Sequence, residues 1–189
     1  VNSHWAVALL LTASCAKAAS SASAGSSATT DEGLSSGPLA PMDAREAAQW
    51  AAAAQGAPEE RMRLVDLVGC AGLREGAKEP DLRATAISAM QYCRDFSELP
   101  WLAEVASDKS DVEARAALEA IDELAARPRR ATDPEDADEL HTGCGALLAL
   151  ARSASRPRER RVLAVRALRM LSERGCVRRE EIPKDVDVK

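Results

Sequence analysis

Aromatic residues are nearly missing from this 189-residue chain, at 3% of its composition, and histidine occurs only at His4 and His141. Val, Ile, Thr, Tyr and Phe are too scattered to give the alternating pattern of a half-buried strand, which argues against a sheet. No apolar run is long enough to span a bilayer as a helix. No glycine-rich phosphate loop, nucleophile elbow or paired-histidine metal motif occurs, so no cofactor, metal or catalytic role is expected. Formal net charge is −5 and no aromatics interleave with the basic residues, which removes nucleic acid as an expected partner.

Alanine dominates what is there, with leucine, glutamate and arginine beside it. These residues lose little side-chain freedom in a helix, so the expected class is all-α. The pattern predicts helices near 43–54, 59–70, 81–92, 99–107, 111–126, 135–151 and 157–174. Pro58, Pro80 and Pro134 stand at starts, where the missing N–H costs nothing, and Asp43, Asp111 and Asp133 are expected N-caps.

The first forty residues have a different character. Trp5 to Ala13 is a short apolar run of the kind found in export signals. Leu11-Thr12-Ala13-Ser14-Cys15 resembles the lipobox of bacterial lipoproteins, with Thr12 where leucine is commoner. That resemblance implies lipidation of Cys15, cleavage before it, and, with Ala16 following, transfer to the outer membrane. Ala16-Lys17-Ala18 would instead suit an ordinary signal peptidase and give a secreted product. Val1 and the missing basic n-region point to an alternative start codon or a start further upstream. Residues 16–40 are small and of low complexity, too poor in apolar surface to offset ordering entropy. The expected organisation is a signal peptide over 1–14, a disordered tether over 15–40 and a helical domain over 41–189.

Within that domain a pattern recurs. Arg83-xx-Ala86-xx-Ala89-Met90 returns as Arg161-xx-Ala164-xx-Ala167-Leu168, and Ala114-xx-Ala117-xx-Ala120-Ile121 keeps the spacing without the arginine. Arg45-xx-Ala48-xx-Ala51-Ala52 reads as a worn fourth copy. Small residues three apart on one helix face let a neighbouring helix approach closely. Together with Leu99-Pro100-Trp101-Leu102-Ala103-Glu104-Val105, read as a first helix closed by Asp108, these stretches resemble HEAT repeats over roughly 60–174. The resemblance implies a short solenoid of helix pairs, each buried against its neighbours.

Four cysteines follow Cys15, an even number that suggests disulfides in an exported chain. Gly69-Cys70 resembles Gly143-Cys144, and the stretches after Cys93 and Cys176 also match, each reaching a proline seven residues on. The repeated context favours Cys70–Cys93 and Cys144–Cys176, with buried free thiols as the other reading. A Cys70 late in its helix would lie about 10 Å from its partner along the axis, beyond disulfide reach. A metal site lacks a Cys-xx-Cys pair to build on.

Three further clusters carry a candidate role. His141 precedes Cys144 by three residues, a spacing that permits the proximity a Cys–His hydrolase pair needs, but no orienting group or oxyanion hole accompanies it, and a surface histidine is the simpler reading. The acidic run from Asp133 to Glu139 lacks the glycine of a calcium loop and suits a helix N-terminus. On a helical wheel Arg158, Arg161, Arg166 and Arg169 oppose an apolar arc, giving a solvated basic face that could dock an acidic protein or anionic lipid. Trp50 and Trp101 are expected core anchors. The function that fits is a non-catalytic binding or scaffolding module in the bacterial envelope. Its expected partners are another envelope protein and, through the N-terminal lipid, the membrane. A structural or assembly-assisting lipoprotein acting on membrane or cell wall is the alternative.

Overall fold

The computed structural model describes residues 42–108, 110–127 and 134–186, and of residues 134–136 the backbone alone. The expected signal peptide, Cys15, the tether and the Asp133 cap lie outside the described residues. Every regular element among the described residues is helical: α1 (Ala44–Ala54), α2 (Pro58–Gly76), α3 (Pro80–Ala89), α4 (Leu99–Ala106), α5 (Asp111–Ala126), α6 (Pro134–Arg152) and α7 (Arg158–Ser172), with short 3-10 turns at Met90–Tyr92 and Arg179–Glu181. The all-α class stands. No helix among the described residues is long and apolar enough to cross a membrane.

Local chemistry sets the starts. Pro58 and Pro80 occupy first-turn positions, and the Asp43 carboxylate accepts from the Glu46 N–H at 2.7 Å. At α5 the N-cap is Ser110, whose hydroxyl accepts from the Glu113 N–H, and Asp111 is the first helical residue. With Ser110 in the cap position, the Asp111 carboxylate meets Arg160 instead.

α2 departs most from expectation. It continues to Gly76, but Gly69 sits at φ 71° and ψ 171° and breaks it into two runs. Only glycine adopts that backbone cheaply. The second run therefore opens at Cys70.

Packing follows chain order. The pairs α2–α3, α4–α5 and α6–α7 are in contact, α5 lies between α3 and α7, α4 lies beside α6, and α1 rests on α2 and α3. Ala86, Ala89, Ala117, Ala120, Ala164 and Ala167 are all buried at these contacts. Ala48 and Ala51 of α1 are exposed, so the fourth copy of the pattern does not do the same work. α1 turns only Trp50 and Ala53 fully inward because it has neighbours on one side alone. There Gly76 lets α2 approach so closely that a Cβ on it would stand 2.6 Å from the Trp50 ring. Phe96, Leu99 and Leu102 anchor the middle of the core, while Trp101 is half-buried. At the far end the segment after α7 folds back, with Val177, Ile182 and Val186 buried in the same core.

Arginines tie successive helices together at their C-termini, where unpaired carbonyls and the helix dipole both favour a cation. Arg83 donates to the Ala77 carbonyl after α2, and Arg161 to the Ala151 carbonyl at the end of α6. These are the arginines of the two strongest copies of the recurring pattern. In the copy that lacks one, Arg160 comes across from α7 and donates to the Asp108 carbonyl after α4 and to the Asp111 carboxylate. Glu113, standing near the missing arginine's position, pairs with Arg83 at 3.1 Å. Arg174 serves α5 likewise, donating to the carbonyls of Ala125 and Arg127.

Candidate functional site

The cysteines stand in two pairs at disulfide distance. The Cα atoms of Cys70 and Cys93 are 5.9 Å apart, and those of Cys144 and Cys176 are 6.1 Å apart. Gly69 removes the axial mismatch expected for the first pair. By restarting the helix at Cys70, it sets that residue beside the chain leaving the Met90–Tyr92 turn. For the second pair, Gly175 at φ 83° reverses the chain after α7 and returns Cys176 toward the middle of α6.

His141 is exposed on α6, its Nδ1 2.7 Å from the Ala137 carbonyl oxygen. Cys144 is buried with its sulfur against that of Cys176, so the imidazole and a free thiolate are not brought together. The side chains of the acidic run fall partly outside the described residues; Asp138 and Glu139 are exposed.

The four arginines of the expected basic face have different fates. Arg158 and Arg169 are exposed and carry no ion pair or side-chain hydrogen bond among the described residues. Arg166 bridges Asp122 of α5 at 2.9 Å. Arg161 departs from the expectation: its side chain is 18% exposed and is spent on the Ala151 carbonyl and, at 3.3 Å, on Asp185. The wheel gives the solvent arc of an isolated helix. It does not show that the end of α6 and the returning C-terminal segment lie within reach of a guanidinium.

Burial pushes the Asp122 carboxyl up, with Arg166 opposing and Glu123 adding to the rise. Glu98, before α4, is also pushed up by burial, against the pull of Arg74 and with Asp95 and Glu139 reinforcing. The exposed Glu181 carboxyl is held down by hydrogen bonds from the Arg178 side chain and backbone.

Concavities of useful size lie among the described residues. One, of about 420 Å³, lies among Met62, Val65, Asp66, Tyr92, Arg94 and Arg127, with the Arg127 guanidinium 4.7 Å from the Tyr92 ring centre. Another, of about 440 Å³, lies between α7 and the returning segment. Three cations, Arg169, Arg179 and Lys184, surround an apolar floor of Met170, Ile182 and Pro183, with Glu173 on the rim. Arg169 is legible in the sequence but the cleft is not, because its other wall comes from irregular chain that carries no periodic signal. No family model, curated protein or solved structure matches the chain.

Proposed function

We propose that this chain is a non-catalytic protein-binding or scaffolding module, held at the bacterial envelope by a lipid on Cys15. Its helix pairs form a short HEAT-like solenoid. The observation that carries this reading is the two cysteine pairs at disulfide distance, since such bonds persist in oxidising compartments and are rare in reducing ones. The lipobox-like Leu11–Cys15 stretch supports the same compartment. The nearest-neighbour order of helix contacts supports the solenoid. Recognition in such a module rests on shape and charge complementarity and involves no bond chemistry.

Fractionation of a bacterial host expressing the chain tests the anchor. Cys15→Ala is expected to abolish lipid labelling and release the protein from the membrane fraction. Unchanged membrane association and mobility would refute lipidation. Crosslinking in intact envelopes, followed by purification, tests the binding role. A discrete crosslinked partner is expected, and its absence across crosslinker lengths would count against the module.

A further inference from the structure

Charge is distributed unevenly along this acidic chain. Residues 152–186 hold eleven Lys and Arg against five Asp and Glu, so one end is basic while the rest is strongly acidic. Most of those cations are already engaged. Arg152 and Arg174 serve backbone carbonyls, as do Arg160 and Arg161, which also meet carboxylates. Arg166, Arg178 and Arg179 sit in ion pairs with Asp122, Glu181 and Glu173. Only Arg156, Arg158, Arg169 and Lys184 have no such partner among the described residues. Two of these four, Arg169 and Lys184, converge on the cleft of about 440 Å³ at the end of α7. Glu173 neutralises Arg179 at 3.0 Å, which leaves the cleft with a twofold positive excess over an apolar floor.

The geometry points to this cleft as the docking site for an acidic peptide segment of a partner protein, two carboxylates meeting Arg169 and Lys184 and an aliphatic side chain seated on Met170, Ile182 and Pro183. The reading deepens the proposed protein-binding role and rests on it. Arginine's planar fork suits a carboxylate, and the volume falls in the range of small ligand pockets. A nucleic-acid strand would meet no aromatic platform here, and an extended bilayer surface would not use a recessed apolar floor.

The full chain, immobilised, is panned with a phage-displayed random heptapeptide library. The enriched peptides are then synthesised and measured by fluorescence anisotropy. The expected peptides carry two or more Asp or Glu and at least one aliphatic residue. Arg169→Glu and Lys184→Glu should each weaken them about tenfold or more, the scale of one lost charged contact. Arg45→Glu, an exposed arginine of α1 outside the cleft, should leave affinity unchanged. Both cleft positions are exposed, and circular dichroism with thermal melting checks that the variants fold. Enrichment of neutral or basic peptides, no enrichment, or equal affinity in the variants would overturn the assignment. Cosedimentation with phosphatidylglycerol–phosphatidylethanolamine vesicles is the second arm. Vesicle binding lost in both cleft variants, with no peptide binding, would assign the cleft to a lipid surface and also overturn it. If the variant carrying both Arg169→Glu and Lys184→Glu still crosslinks to the envelope partner, the cleft assignment fails while the module stands. Absence of any crosslinked partner to the native chain fails the module itself.

Discussion

Gly143 of α6 lies so close against Leu99 of α4 that a Cβ atom on it would stand 2.5 Å from the Leu99 Cγ and 3.1 Å from its carbonyl carbon. Neither is the far end of a flexible chain, so the helices themselves would have to part. Gly143→Ala should therefore destabilise the domain by about 1–3 kcal/mol, the usual cost of overpacking. Gly145, two residues on, meets nothing within 4 Å. Gly145→Ala should stabilise by about 0.5–1 kcal/mol, because it removes only the flexibility of a helical glycine. Denaturant midpoints moving in opposite directions are the expected result. Midpoints moving together would break the inferred close approach.

Arg160 provides a second test, on the link between α4, α5 and α7. Its side chain is 7% exposed and serves both the Asp108 carbonyl and the Asp111 carboxylate. Arg160→Met keeps the apolar stem and removes the charge-assisted hydrogen bonds, at a cost of about 1–3 kcal/mol. Arg158→Ala, at an exposed position of the same helix, should change stability by less than about 0.5 kcal/mol. Urea titration of both variants checks the contrast. Equal effects would mean that the arginine bridge contributes nothing.

Glu98 makes stability depend on pH. It is 5% exposed and its Oε2 has no hydrogen-bond partner among the described residues. Burial raises its pKa above the ordinary 4.5, and Asp95 and Glu139 add to the rise while Arg74 opposes it. A raised carboxyl pKa means that the folded state holds the proton more tightly than the unfolded chain. The contribution is present in full below pH 4.5 and is lost as pH rises through the folded-state value. Glu98→Gln should accordingly raise the melting temperature at pH 7, and the gain should vanish below pH 4.5. A gain that persists at acid pH would assign the effect to packing.

Much of the helix plan was legible because its punctuation is local. Pro58, Pro80 and Asp43 act within one turn of their own position, so spacing alone places them. The spaced alanines were legible for a similar reason, since three-residue spacing defines a face wherever the neighbour lies. Asp111 was misread as a cap because Ser110 competes for that role one residue earlier. The directions of Arg160 and Arg161 were illegible. A guanidinium reaches across several ångströms to whichever helix end is nearest, and that end belongs to tertiary structure. The cleft at Arg169 was hidden likewise, because Ile182, Pro183 and Lys184 return to α7 through irregular chain.

The cysteine pairs join compartment to stability, and they differ in access. They close spans of 23 and 32 residues, each contributing about 3 kcal/mol in the chain-entropy account. In a domain of this size, losing one should lower the melting temperature by about 6–12 °C. Cys70 is half-buried, whereas Cys144 is 1% exposed. Exchange requires attack on a sulfur, so dithiothreitol under native conditions should open Cys70–Cys93 first. Its loss should loosen the run of α2 after Gly69, which that bond ties to the end of α3. Differential alkylation and mass spectrometry at increasing reductant would follow the order, with hydrogen exchange reporting protection over residues 70–76. In protein purified from an oxidising compartment, thiol counting on the unfolded, unreduced chain should find none of these four cysteines free. Four reactive thiols would refute both bonds and remove the main support for an exported protein, whereas simultaneous opening would refute the difference in access.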